Sequence, residues 1–165
     1  MKFKHTLDKI LEIVLVGIMA IMVINVLWQV GSRFILQSPS SFTDELARYL
    51  LIWLSILGAS YVTGKRMHLS IDLLAQKVSV ERRKSLNTLI YSIVALFAFL
   101  AMVVGGANLV YIVSSLGQTS PALEIPLSTV YIVLPIGGAI IIYYSILNIL
   151  HPVKEEDSSI SETVE

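Results

Sequence analysis

Four long stretches of this chain, residues 13–32, 49–64, 85–123 and 125–150, contain no Asp, Glu, Lys or Arg. A helix that crosses a bilayer needs about 20 predominantly apolar residues, and a charge at the bilayer centre costs at least about 2.5 kcal/mol. The pattern predicts an all-α integral membrane protein: a single domain over residues 1–150 with four tilted spans, about 10–33, 43–64, 85–116 and 127–150. Span two opens on Thr43, a candidate N-cap, with Asp44 and Glu45 in the first turn, where carboxylates suit the positive end of the helix dipole. The third stretch is too long for about 30 Å of hydrocarbon even when tilted, so it is expected to break at Gly117-Gln118-Thr119-Ser120-Pro121. Span four contains Pro135 with Gly137 and Gly138 close by, and a kink is expected there.

The segments between the spans add orientation and one further element. Lys2, Lys4 and Lys9 precede span one, and Lys65, Arg66, Lys77, Arg82, Arg83 and Lys84 lie between spans two and three. Only Arg33 and Arg48 flank the first loop, and the third has neither Lys nor Arg. The excess of basic residues places both termini and the second loop in the cytoplasm. Over residues 67–80, Ile71, Leu74 and Val78 fall on one helical face, which predicts a short amphipathic helix at the cytoplasmic membrane surface; the alternative is a structured turn that contains aliphatics. Residues 151–165 read as an acidic, disordered cytoplasmic tail. The basic N-terminus followed by an apolar run imitates a signal peptide, but the run is too long and has no small-x-small cleavage site, so it is read as an uncleaved span.

Composition agrees with the pattern and removes several functions. Of 165 residues 55% are hydrophobic and 15% charged, with a mean hydropathy of +0.77. Twelve basic and twelve acidic residues cancel, so no global charge points to nucleic acid. The chain has no Cys, hence no thiolate metal site and no Cys nucleophile. Its three histidines, His5, His68 and His151, lie outside the spans, which removes bis-histidine haem ligation within the bilayer. No nucleophile–base pair or paired carboxylate stands at membrane depth, and neither a cofactor nor an enzymatic activity is expected.

The remaining polar residues suggest contacts. Asn25 and Gln29, four apart in span one, share a face and suit either a partner subunit or packing within the chain. Arg33, Asp44, Glu45 and Arg48 gather at the outer ends of spans one and two, with Glu45 and Arg48 spaced for a helical ion pair. From the residues alone they are snorkelling boundary markers; the alternative is a polar rim that meets a soluble protein. His68 and Asp72 are spaced for a hydrogen bond fixing the start of the interfacial helix, and no further metal ligand is evident nearby. Ser55, Ala59 and Thr63 in span two, and Ala101 with Gly105 in span three, have the small-xxx-small spacing that lets helices approach closely.

Taken in order, Trp28, Arg33-Phe34, Phe42-Thr43-Asp44-Glu45-Leu46-Ala47-Arg48-Tyr49, Trp53, Leu57-Gly58-Ala59, Arg66, His68 and Asp72 resemble the small membrane subunit (DctQ/SiaQ type) of tripartite ATP-independent periplasmic (TRAP) transporters. Thr119-Ser120-Pro121-Ala122-Leu123-Glu124-Ile125-Pro126, Tyr131 and Pro135-Ile136-Gly137 extend the resemblance, which covers roughly residues 5–150. It implies a non-catalytic scaffold in the bacterial inner membrane, forming a heterodimer with a large transport subunit (DctM/SiaM type) that carries the sodium and substrate sites. A periplasmic binding protein would deliver an organic acid, N-acetylneuraminate first, with C4-dicarboxylates or 2-oxo acids as alternatives. Membrane phospholipid is a further expected partner. The resemblance makes Arg33, Asp44, Glu45 and Arg48 candidates for periplasmic docking or for fixing helix ends. Arg66, His68, Asp72 and Leu74 become candidates for the interfacial helix, and Asn25, Gln29, Ser55, Ala59, Ala101 and Gly105 for helix packing. The residues themselves fit a scaffold, because a carrier of anions and sodium needs broken helices and polar groups at the midplane, and the sequence offers neither. Two other readings are a self-sufficient multidrug exporter, whose one available carboxylate would be Glu12, and a membrane anchor for a redox enzyme.

Overall fold

The computed structural model describes residues 2–35, 41–65 and 80–150. Helix α1 (Lys2–Ile35) is followed by α2 (Ser41–Lys65) and α3 (Val80–Phe97). A π-helical stretch (Ala98–Gly105) joins α3 to α4 (Gly106–Ser115), and the short α5 (Leu127–Tyr131) precedes α6 (Val133–Leu150). Four helices are long and apolar enough to cross a membrane: Lys4–Ile35, Ser41–Lys65, Ser85–Ser115 and Leu127–Leu150. The amphipathic helix expected over 67–80 falls outside the described residues except for Val80, which opens α3, and so does the tail from residue 151.

The helices stand in a row. α1 packs on α2, α2 on α6, and α6 on α3 and the π-helical stretch, while α2 makes no close approach to α3 or α4. In the apolar windows of the first three spans 17% of residues are buried, against 39% in Leu127–Leu150, so the fourth span is the centre of the array. Leu11, Ile18, Leu57, Val133 and Tyr144 form one core cluster, and Ala98, Met102 and Ile141 a second on the other side of α6.

Glycines decide this order. A Cβ on Gly137 would overlap Ile56 of α2, whereas a Cβ on the adjacent Gly138 would stand 2.8 Å from Met102 Cβ and 3.2 Å from the Ala98 carbonyl oxygen in the π-helical stretch. Two successive positions without side chains thus admit a neighbour on each flank of α6. Gly106 does the same for α4, since its Cβ would lie 2.9 Å from Leu134 Cβ. Close backbone approach of this kind replaces the hydrophobic driving force that a lipid solvent removes.

Two features of the spans depart from simple helices. The third span ends at Ser115 in a left-handed Gly117 (φ +59°), with Gly117 N–H donating to the Ser114 carbonyl (3.1 Å) and Gln118 N–H to the Val113 carbonyl (3.2 Å). This glycine-terminated cap falls where the break was expected. Within the span, the i→i+5 bonding of Ala98–Gly105 puts more residues into each turn and shortens a segment that would run to about 46 Å as α-helix. The fourth span breaks at Ile132, one turn before Pro135, rather than merely kinking at the proline. Pro135 has no N–H to give the Tyr131 carbonyl, so the ladder weakens over the turn that precedes it. This break corrects the expectation that no helix is interrupted, but it lies near one end of the span, where the Trp53 indole N–H donates to the neighbouring Val130 carbonyl at 3.1 Å.

Candidate functional site

Polar side chains collect at the two ends of the helices. At one end, the loop after α4 closes on itself through an isolated bridge between Thr119 and Pro126, with Ser120 N–H donating to the Ile125 carbonyl (2.9 Å) and Leu127 N–H to the Gln118 carbonyl (3.0 Å). Glu124 takes a left-handed φ of 54°, uncommon for a residue with a side chain. That tight path leaves Ala122 and Leu123 N–H pointing the same way, and both donate to Glu45 Oε2, at 2.8 and 3.1 Å. The other oxygen, Oε1, accepts the Tyr49 hydroxyl at 2.8 Å. Glu45 is buried, 8% exposed, and joins the start of α2 to the loop between the third and fourth spans.

The expected Glu45–Arg48 pair does not form. Asp44 takes Arg48 instead, at 2.9 Å, an (i, i+4) pair whose two side chains are exposed and which contributes little to stability. Gln29 of α1 reaches Asp44 Oδ1 at 3.4 Å, and Asn25 donates to the Thr43 carbonyl at 2.7 Å, so both serve the α1–α2 contact within this chain. Arg33 is exposed at the end of α1 and forms no ion pair with a described residue. Of the four rim residues, three are exposed and Glu45 is turned inward.

At the other end, Tyr144 of α6 is fully buried and donates its hydroxyl to Asp8 Oδ1 on α1. Lys65 of α2 approaches Asp8 Oδ2 at 3.9 Å and stands over the Tyr61 ring at 5.3 Å. Gly64 makes this possible, because a Cβ there would lie 2.7 Å from the Tyr144 ring. Asn148 donates to the Thr63 carbonyl at 3.0 Å one turn further along α6. Tyr144→Phe is expected to destabilise the chain by about 1–3 kcal/mol, since it removes a bond to a charged group that spans the row from α6 to α1. Thermal unfolding of the purified chain in detergent measures this, and an unchanged midpoint would show that Lys65 alone holds Asp8.

The small residues do not pack as the spacing alone led us to expect. Ser55, Ala59, Ala101 and Gly105 are exposed on the array, whereas Thr63 of the same series is buried, and among the described residues close packing is made by it together with Ser60, Gly64, Gly106, Gly137 and Gly138. Ser60 Oγ donates to the Ile56 carbonyl (2.9 Å) and also lies 3.2 Å from the Gly137 carbonyl oxygen. Sequence reasoning missed Asp8, Trp53, Tyr144 and Asn148. A polar or aromatic group within reach of a proline or glycine on another span was the available signal. Arg66, His68, Asp72 and Leu74 lie outside the described residues. Among the described residues no three His, Asp or Glu side chains gather as a metal site would require, and Glu12 is exposed on α1.

Four helices of spanning length whose polar side chains bind one another and the loops describe a multi-pass membrane protein. Residues 21–155 match the family described as tripartite ATP-independent periplasmic transporters, DctQ component, and the chain belongs to that family. It is 28% identical over 156 residues to the sialic acid TRAP transporter small permease protein SiaQ of Vibrio cholerae, covering 92% of this chain and 86% of that one. A TRAP transporter small permease protein of Haemophilus influenzae is 39% identical over 74 residues, 45% of this chain and 46% of that protein. The C4-dicarboxylate TRAP transporter small permease protein DctQ of Rhodobacter capsulatus is 29% identical over 102 residues, 62% of this chain and 44% of that one. The chain also matches 15% of the isethionate TRAP transporter permease protein DctMQ of Oleidesulfovibrio alaskensis and 12% of the sialic acid permease protein SiaT of Haemophilus influenzae.

Proposed function

We propose that this chain is the scaffold subunit of a sodium-coupled importer of an organic acid, paired one to one with a large permease subunit that carries the transport path. The carrying observation is where its polar groups go. Glu45, Asp8, Tyr144, Asn25 and Asn148 are all engaged within the chain, and no Asp, Glu, Lys or Arg stands at mid-depth of the described spans for an ion or anion. Matches to single permease chains several times longer support a large membrane partner. N-acetylneuraminate is the preferred substrate because the sialic acid small permease is matched over nearly the whole of both chains; the C4-dicarboxylate relative keeps that class as the alternative. In this reading the bacterial inner membrane holds the chain with both termini in the cytoplasm, phospholipid covers its free apolar surface, and the end bearing Arg33, Asp44, Arg48 and the loop held by Glu45 faces the periplasmic binding protein.

Purification of the tagged chain from its native membrane in mild detergent tests the pairing. A large permease is expected at one-to-one stoichiometry by mass spectrometry. Recovery of the chain alone, or as a homodimer, would overturn the scaffold reading and make Glu12 the first residue to test for transport by this chain itself.

A further inference from the structure

Asn108 is a carboxamide that the fold leaves both unpaired and exposed on the third span. It lies just beyond the π-helical stretch, near the start of α4, is exposed, and forms no hydrogen bond to a described residue. Two other carboxamides of the spans behave differently, Asn25 and Asn148 donating to backbone carbonyls at the two ends of α2.

The packing fixes the level at which Asn108 stands. Gly106 abuts Leu134 and Pro135, and Trp53 reaches Val130, so Asn108 is nearly level with Trp53. That places it about 7 Å inside the Asp44–Arg48 pair and about 10 Å along the helix from Ser115. Hydrocarbon offers an amide no partner at such a depth, and the side chain is too short to reach the headgroups. Gly105 is one turn away on the same exposed side, where an added Cβ would meet only the Leu100 carbonyl oxygen of its own helix, at 3.5 Å, and Ala101 lies one turn further. α3, the π-helical stretch and α4 form the edge of the row, touched by α5 and α6 alone, so this side is open to another chain.

We propose that the Asn108 flank of the third span seats a transmembrane helix of the large permease subunit, with the Asn108 amide bonded to a polar group on that helix and Gly105 and Ala101 allowing its backbone to come close. The occupant follows from the relatives in which the matched unit is 12–15% of a single permease chain, which place a much larger membrane body beside it. The inference rests on the scaffold reading and adds the face, the depth and the chemistry of the contact.

A photoreactive amino acid at position 108, with both subunits produced together in membranes, tests it. The expected product is an adduct with the large permease that co-purifies with the unsubstituted chain. Asn108→Leu is expected to reduce retention of that permease at least tenfold while leaving the melting temperature of the isolated chain unchanged, and Asn108→Gln to restore part of it. Adducts with lipid only or with a second copy, or full retention by Asn108→Leu, would overturn the proposal while the scaffold reading stands. Failure of the unsubstituted chain to retain any permease would overturn both.

Discussion

Glu45→Leu is expected to release the loop between the third and fourth spans without dismantling the helices. The substitution removes the shared acceptor of Ala122 and Leu123 N–H and the partner of the Tyr49 hydroxyl. Donors that lose a common acceptor in a partly buried site either stay unpaired or drag the backbone toward water. The left-handed Glu124 is then held only by the loop's own bonds, its N–H donating to the Ser120 carbonyl at 3.0 Å and Ser120 N–H to the Ile125 carbonyl. Hydrogen exchange at Ala122 and Leu123 should accelerate by roughly ten- to a hundredfold, with exchange in α6 unchanged. Acceleration spread evenly over α2 and α6 would mean that Glu45 supports the whole array. The distinction bears on transport: if this loop meets the binding protein, Glu45→Leu should impair uptake more than it impairs recovery of the large subunit, although Glu45 itself is not on the surface.

Gly138→Leu is expected to be the most damaging single change in the spans. Even a methyl group at this position falls 2.8 Å from Met102 Cβ, against backbone and side-chain atoms of a packed neighbour. Overpacking costs about 1–3 kcal/mol where side chains can shift, and more is expected where the obstacle includes the Ala98 carbonyl. For a chain of this size that corresponds to a fall in melting temperature of roughly 5–10 °C. Gly58→Leu is the matched control, because nothing stands within 4 Å of a Cβ there. Both substitutions raise hydropathy equally, so a loss seen only with Gly138→Leu reports packing and not insertion. Equal melting temperatures for the two would remove the argument that Gly137 and Gly138 set the helix order.

The spans themselves were legible in the sequence because exclusion of charge from hydrocarbon is a strong, one-dimensional signal. The end of the third span and the irregularity near Pro135 in the fourth were legible too, since Gly117 and Pro135 act on their own backbone. Helix faces were not. In water an amphipathic stripe shows which side is buried, but here lipid and protein interior are equally apolar, so Ala101 and Gly105 looked as suited to packing as Gly106 and Gly138. The pairing of Glu45 with Arg48 was misread for a related reason: helical spacing suggests a neighbour on the same helix, but Oε2 takes two amides more than 70 residues away in sequence. The neighbour order of the row and the π-helical stretch left no local trace that we can identify.

That neighbour order bears on how the chain is made. The helix at the middle of the row is the last of the four to leave the ribosome, and α2 touches neither α3 nor α4 without it. Until it arrives, the membrane holds an α1–α2 hairpin and a third helix with no contact between them among the described residues. Ser60 can wait, its hydroxyl already turned back on its own helix at Ile56. The Thr63 carbonyl, Asp8 Oδ1 and Glu45 Oε2 wait for atoms supplied after residue 119. A chain stopped at residue 126 should therefore insert as two independent pieces, and supplying residues 127–150 as a separate peptide should draw them together.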